Sequence, residues 1–200
     1  AVLLGRRKKF NIAVFEGGAR AGKKLAASGN GQGNISNGSI APRNYHGGGS
    51  ALAYKIISEQ GEVYKSLFHG KFVQDERGRI YPAGRQASAL SDSLLFDIKK
   101  CGVSIFTGAK VTEIKRDGGA FLGILADKSR FSAKYIVLCV GGKAQKQFGT
   151  DGSSYSLAQR LGHRITPLLP AIVQLKTDTA DIKTLRGIRA DCVVSAMVNG

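Results

Sequence analysis

Six residues, Asn11-Ile12-Ala13-Val14-Phe15-Glu16, constrain this chain more than any others. A short apolar run of this kind has the composition of a strand buried on both faces, as strands of parallel sheets are. It stops at a carboxylate followed by Gly17-Gly18, where the backbone can turn closely. In dinucleotide-binding folds an acidic residue at the end of the second parallel strand accepts both hydroxyls of an adenosine ribose. Glu16 suits that role; the alternative is a solvated glutamate at a strand end. The glycine turn G-x-G-x-x-G belongs about twenty residues upstream of such an acid. Ala1–Lys9 then reads as the end of the helix that follows the turn, and a chain that starts without methionine is expected to be a piece of a longer one.

The stretch after Glu16, Gly17-Gly18-Ala19-Arg20-Ala21-Gly22-Lys23-Lys24, spells G-x-x-x-x-G-K. A magnesium-dependent phosphate loop needs a Ser or Thr hydroxyl where Lys24 stands, and Glu16 would repel an arriving anion. That reading is set aside. Eleven of the twenty-seven glycines fall in the first fifty residues, so a long polar loop is expected from Gly17 to about Gly49. Ser50 to Leu67 reads as helix, and Lys71–Val73 and Arg79–Tyr81 as short strands turning at Gly78 and closed by Pro82. From Gln86 to Lys100, Ala87, Leu90, Leu94, Leu95 and Ile98 recur at helical spacing, with Gly102 where a left-handed cap is wanted. Strands are expected at Val103–Phe106, Lys110–Lys115, Phe121–Ala126 and Tyr135–Val140, with Asp117-Gly118-Gly119 as a hairpin turn. This order describes a sheet-based α/β domain with a β excursion. Beyond Pro167 and Pro170, strand-like pieces at Ala171–Lys176 and Asp191–Val198 suggest that a second domain begins.

Composition narrows the function classes. With 42% apolar and 22% charged residues over 200 positions, the chain can bury one sizeable core and part of another. The longest apolar run, Tyr135–Val140, is far short of a bilayer span, and Ala1–Leu4 is no signal peptide, so membrane and secreted readings lose ground. Cys101, Cys139 and Cys192 form neither a disulfide framework nor a zinc motif, which fits a reducing cytoplasm. The net charge of +16 attracts polyanions. It is spread along the chain, and its one dense run, Arg6-Arg7-Lys8-Lys9, suits a helix end. Without an interleaved aromatic groove pattern, nucleic acid is disfavoured as a partner.

The segment from Val14 to Asn37, V-F-E-G-G-A-R-A-G-K-K-L-A-A-S-G-N-G-Q-G-N-I-S-N, resembles E-(x)5-G-K/R-K-L-x-x-S/T-G-N/G-G-R-C-N-x-T-N of the aminoacetone-oxidase-like family of FAD-binding flavoproteins. Further blocks match in order. Gly78-Arg79-Ile80-Tyr81-Pro82 with Gln86-Ala87-Ser88 resembles G-R-x-Y/F-P-x-S-x-x-A-S, and Cys139-Val140-Gly141-Gly142-Lys143 resembles A-T-G-G-K. The run from Gly149 to Tyr155 with Leu161-Gly162-His163 resembles G-S/T-x-G-x-G-Y…L-G-H. Pro170–Leu175 echoes P-A-L-V-P-L, and Leu185-Arg186-Gly187-Ile188 echoes L-x-G-I. Members of that family are described as NAD(P)/FAD-dependent oxidoreductases, some of them as reductases of bile-acid intermediates.

The resemblance implies a Rossmann-like FAD/NAD(P)-binding domain over residues 1–176 with a β excursion, lacking its first strand and glycine turn, and the start of a β-rich substrate-side domain over 177–200. It implies FAD as cofactor, NAD(P)H as a candidate electron donor and a small-molecule substrate. Glu16 would hold the ribose, and Gly22, Lys23 and Lys24 would approach the diphosphate or the adenosine end. A diphosphate carries two negative charges and seeks backbone N–H groups and ammonium partners. Ser28, Gly29, Asn30 and Gly31 would lie near the flavin ring, Val111 would offer main chain to the adenine, and Gly141 and Gly142 would end the strand closing over the cofactor. Three departures stand out: Gln32-Gly33 for Arg-Cys, Cys139-Val140 for Ala-Thr, and Ser154 for glycine. An arginine beside a flavin stabilises the negative charge of the reduced ring, which Gln32 cannot do. Cys139 reads as a packed strand residue and His163 as a helix-terminal or packing residue; His46 and His69 have no identifiable partner. The alternative function is a basic nucleotide- or nucleic-acid-binding module without redox activity.

Overall fold

A parallel pair of strands anchors the structure, as the apolar run around Val14 requires. In the computed structural model, which describes residues 1–170, 193, 195 and 197, β1 (Ala13–Phe15) pairs in parallel with β5 (Ser104–Phe106), Val14 opposite Ile105. Around this pair the chain runs α1 (Val2–Arg6), β1, α2 (Lys23–Ala26), β2 (Ser36–Asn37), α3 (Ser50–Gln60), α4 (Val63–Leu67), β3 (Phe72–Gln74), β4 (Arg79–Pro82), α5 (Ala87–Lys100), β5, β6 (Val111–Asp117), β7 (Ala120–Leu125), β8 (Arg130–Ala133) and α6 (Tyr155–Arg160). Short 3-10 turns lie at Ser28–Gly31, Pro42–Asn44 and Lys146–Phe148. β2-β4-β3 and β6-β7-β8 are separate antiparallel sheets. The chain divides into units Ala1–Ile165 and Thr166–Gly200; all the helices and strands just named lie in the first. The expected boundary at 176/177 and the strand-like pieces Ala171–Lys176 and Asp191–Val198 lie outside the described residues, apart from Val193, Ser195 and Met197. No helix among the described residues is long and apolar enough to cross a membrane.

Helix α5 forms where the apolar spacing places it and buries Ala87, Leu90, Ser91 and Asp97. It ends as expected: Gly102 takes a left-handed φ of 72°, and its N–H and that of Val103 return to the carbonyls of Lys99 and Ile98. Asp97 is the polar anchor of this helix. Its carboxylate accepts a 2.8 Å bond from Arg6 of α1 and a 3.2 Å bond from His69 beyond α4, while Arg6 also reaches the Ser66 carbonyl. His69, expected to stand alone, therefore has a partner, one that sequence separation concealed. Burial pushes the Asp97 carboxyl upward, but the bonds and charges of Arg6 and His69 outweigh it and hold the group below the usual aspartate range.

Three other expectations change. The helix expected over Ser50–Leu67 is two helices, because Glu62 leaves helical geometry and the Gly61 carbonyl accepts from Ser36 Oγ instead. Tyr135–Val140 forms no strand: a ladder needs a neighbour, and none is present among the described residues. Tyr135 and Val137 are 70% and 75% exposed, and Cys139, expected to be packed, is exposed with them. Strand β8 was hidden in a mixed sequence, Arg130-Phe131-Ser132-Ala133, and pays for itself through one aromatic contact. Phe131 stacks on Phe15 with centroids 4.2 Å apart, and Phe15 on Phe106 at 5.2 Å, fastening the antiparallel excursion to the parallel pair. Gly123 makes room for that ring: a Cβ there would lie 2.0 Å from Phe131 Cζ.

Two outcomes follow. Gly123→Ala should destabilise the protein by about 1–3 kcal/mol through overpacking, read as a lower midpoint in thermal unfolding. Asp97→Asn should lower the midpoint at pH 7. Because the native Asp97 carboxyl titrates below its unfolded value of about 3.9, the stabilisation is present above that pH. It is lost as pH falls through the native value, so wild type and variant should converge in strong acid.

Candidate functional site

The parallel pair places Glu16 at the carboxyl end of β1, beside Thr107 at the end of β5, where open α/β sheets take ligands. Main-chain bonds lock this rim: Glu16 N–H donates to the Phe106 carbonyl at 2.8 Å, Ala109 N–H to the Glu16 carbonyl at 2.9 Å, and Gly108 N–H to the Gly18 carbonyl at 2.8 Å. The Glu16 side chain is half-buried, and its Oε1 accepts from Gly18 N–H at 2.8 Å. The next turn of the same loop is anchored from below. Gly22 has φ 81° and caps α2, and a Cβ on it would lie 2.0 Å from Ser91 Oγ. Ser91, 1% exposed on α5, donates from that hydroxyl to the Gly22 carbonyl at 3.3 Å. Only glycine satisfies both the dihedral and the approach.

Beyond this turn, Lys23 and Lys24 project outward. Lys23 Nζ lies 5.9 Å from the Phe148 ring centroid, and Lys24 Cε approaches Gly141. Ser28 closes α2 by donating to the Leu25 carbonyl at 2.7 Å. Gly29, Asn30 and Gly31 all take left-handed φ, between 56° and 82°. Of these, Gly29 is pressed against Asn34, whereas Gly31 has nothing within 4 Å of where a Cβ would be. The open backbone of Gly31 is therefore the part of the run that a ligand can approach. The run is held at its far end by Gly33, seated on Ala87 and Leu90 of α5.

The structure sorts the expected residues into neighbouring groups. Glu16 and Gly17 meet Lys110, and Val111 follows directly as the first residue of the edge strand β6. Lys24 reaches the segment containing Gly141 and Gly142, the latter facing the Tyr155 hydroxyl, while Lys23 lies over Phe148 and Gly22 packs on Ser91. Ser28, Gly29, Asn30 and Gly31 sit apart from Val111, on the α5 side. Gly141 and Gly142 do not end a strand, since 135–140 is none, but Gly141 packs against buried Thr150, whose hydroxyl donates to the Gln145 carbonyl at 2.7 Å.

Several lysines around this rim carry no salt bridge among the described residues. Asp92, Asp97, Asp75, Glu62 and Glu113 each hold a cation elsewhere. Lys23, Lys24, Lys110 and Lys143 make no ion pair among the described residues. Asp151 lies nearby, its carboxyl held low chiefly by bonds from Ser153 and also by the charge of Lys110. Sequence reasoning missed three features. Arg85 donates to Gln32 Oε1 at 3.0 Å; Phe148 lies under Lys23; and an open groove of about 620 Å³ runs along Phe15, Phe106, Thr107, Gly108, Arg130 and Phe131. Only the aromatic character of Phe15 and Phe106 hinted at the last. His163 is exposed at the rim of a cavity of about 210 Å³ walled by Phe121, Ile136, Leu138 and Leu161.

Comparison with known proteins adds lineage to this geometry. The family profile described as the HI0933-like protein Rossmann domain matches residues 1–199. The chain is 35% identical over 192 residues to the 3-dehydro-bile acid delta(4,6)-reductase of Clostridium scindens, covering 94% of this chain and 46% of that protein. It is 22% identical over 204 residues to the ribosomal RNA dihydrouridine synthase of Haemophilus influenzae, covering 94% and 49%. The chain thus spans about half the length of the curated relatives it matches. Among solved structures, THI4 of Thermovibrio ammonificans superposes with a TM-score of 0.46 at 15% identity over 80% of this chain and 58% of that one. CtdE in complex with FAD gives 0.33 at 16% identity over 66% and 32%.

The seating of Gly22 is directly testable. Gly22→Ala should destabilise the protein by about 1–2 kcal/mol from the left-handed backbone alone, and further from the clash. Ser91→Ala in the same chain should recover the clash component. A double-mutant cycle by denaturant unfolding should therefore show coupling of about 0.5–3 kcal/mol.

Proposed function

The chain belongs to the HI0933-like Rossmann-domain family, and from that premise we propose that it forms the nucleotide-holding part of an FAD-dependent oxidoreductase. The observation that carries the reading is the rim itself: a carboxylate ends a parallel strand and is followed in the same loop by Lys23 and Lys24, which make no ion pair among the described residues. Such a donor set fits FAD. The Glu16 carboxylate, which now accepts from Gly18 N–H, would accept the ribose hydroxyls, and Gly18 N–H, Lys23 and Lys24 would be the partners for a diphosphate. The open backbone at Gly31 suits the approach of a flat ring. Val111 offers main chain on an edge strand to the adenine, and Gly141 and Gly142 line the far side. The ordered motif matches from Val14 onward support the aminoacetone-oxidase-like branch of the family.

The curated relatives are named a 3-dehydro-bile acid delta(4,6)-reductase and a ribosomal RNA dihydrouridine synthase, and the first name supports a reductive reaction. On this reading FAD, when bound, would supply hydride-transfer chemistry to a small organic substrate, with NAD(P)H as the candidate electron donor. The chain's own residues bind and orient; none of them is assigned as acid, base or nucleophile.

The charge of +16 supports a second reading, a basic nucleotide- or nucleic-acid-binding module without redox activity. Salt separates the two. Under the flavoprotein reading the purified protein should be yellow, retain FAD at one per chain through a high-salt wash, and oxidise NADH or NADPH. Polynucleotide binding alone should instead weaken steeply with ionic strength. Glu16→Ala should lower FAD affinity about 10- to 100-fold, the equivalent of about 1.5–3 kcal/mol for hydrogen bonds to a charged group, measured by flavin fluorescence titration. A colourless protein with unchanged affinity in Glu16→Ala would sink the reading.

A further inference from the structure

We propose that Arg85 supplies the positive charge that position 32 lacks, setting the reduction potential of the bound flavin. The inference rests on the flavoprotein reading and on the placement of Ser28–Gly31 near the ring. In the resembling family the residue after the glycine run is arginine; here it is Gln32, which carries no charge. Gln32 is nevertheless not without a cation. The Arg85 guanidinium donates from Nη1 to Gln32 Oε1 at 3.0 Å, bridging 53 positions in sequence. Its carbon lies 4.8 Å from the Tyr81 ring centroid, so the buried ring supports one face of the guanidinium.

The backbone shows that this position is held against local preference. Arg85 has φ 44°, one of four non-glycine residues with positive φ among the described ones. Its N–H donates to the Pro82 carbonyl at 2.8 Å, closing the turn that connects β4 to α5. A left-handed arginine persists only where the surroundings fix it. Here they aim its side chain across to the glycine run rather than toward a carboxylate, and Arg85 makes no ion pair among the described residues. A guanidinium retains its charge throughout the working pH range. Placed beside a ring that becomes anionic on reduction, it favours the reduced state over the oxidised one. Gln32 acts as the positioning residue and Arg85 as the charge.

The test is a spectroelectrochemical titration of the intact, FAD-loaded protein, with flavin stoichiometry and thermal unfolding recorded in parallel. Arg85→Gln should weaken binding of reduced relative to oxidised FAD at least tenfold, a midpoint about 30 mV more negative for this two-electron couple. Arg85→Lys should retain most of the wild-type value. The exchange variant carrying Arg85→Gln and Gln32→Arg should restore it, because the charge returns from the other side of the same contact. An unchanged midpoint in folded, flavin-loaded Arg85→Gln overturns the proposal. If that variant does not fold, the exchange variant and Gln32→Leu decide: a midpoint unmoved by Gln32→Leu and raised above wild type by the exchange overturns it too. A wild-type protein that holds no flavin would fail earlier, at the stoichiometry, and would remove the flavoprotein reading itself.

Discussion

The seating of one loop on one helix is the constraint from which the rest of the molecule's organisation follows. Ala87, Leu90 and Ser91, at i, i+3 and i+4 on one face of α5, each receive part of the segment that begins at Gly22 and ends at Gly33. Between those two supports the chain winds through α2 and a run of left-handed residues that could not hold its shape in isolation. Helix α5 is in turn fixed at its other end by Asp97, which gathers Arg6 and His69 from elements far apart in sequence. A buried carboxylate held by two partners is tolerated because its lone pairs are satisfied. The rim chemistry therefore depends on a helix that presents none of its own residues to the proposed ligand.

What the sequence disclosed, and what it withheld, divides along a physical line. Features set by local backbone chemistry were legible: the parallel strand at Val14, the amphipathic spacing and glycine stop of α5, and the tight turns at Gly78 and Gly118. Features that exist only through a distant neighbour were not. Tyr135–Val140 has ideal strand composition yet forms none, since composition cannot provide the adjacent ladder. His69 and Arg85 gained partners 28 and 53 positions away, which no periodicity reports. At the candidate site, Glu16 and the lysines could be nominated from pattern alone. The distinction between the closed Gly29 and the open Gly31 needed coordinates, because both share the same dihedral class.

Charge follows a similar division. A total of +16 says only that anions are attracted, and it names none. Once the acids are matched to their partners, most of the cations among the described residues remain unpaired, some of them at the rim. Arg6, Arg20, Lys65, Arg79, Lys115 and Arg160 are engaged in ion pairs, whereas Lys23, Lys24, Lys110 and Lys143 lie around the end of β1 and the Gly141–Gly152 segment. Exposed pairs of this kind add little stability.

The stacked rings of Phe106, Phe15 and Phe131 bear on the rim as well. Phe15 immediately precedes Glu16, so the excursion is bolted one residue away from the carboxylate. A jolt to the meander cannot be absorbed there by slack; it is passed through the aromatic pile to the acid's own backbone. Rim and excursion should accordingly loosen together, in a single shared step rather than by degrees.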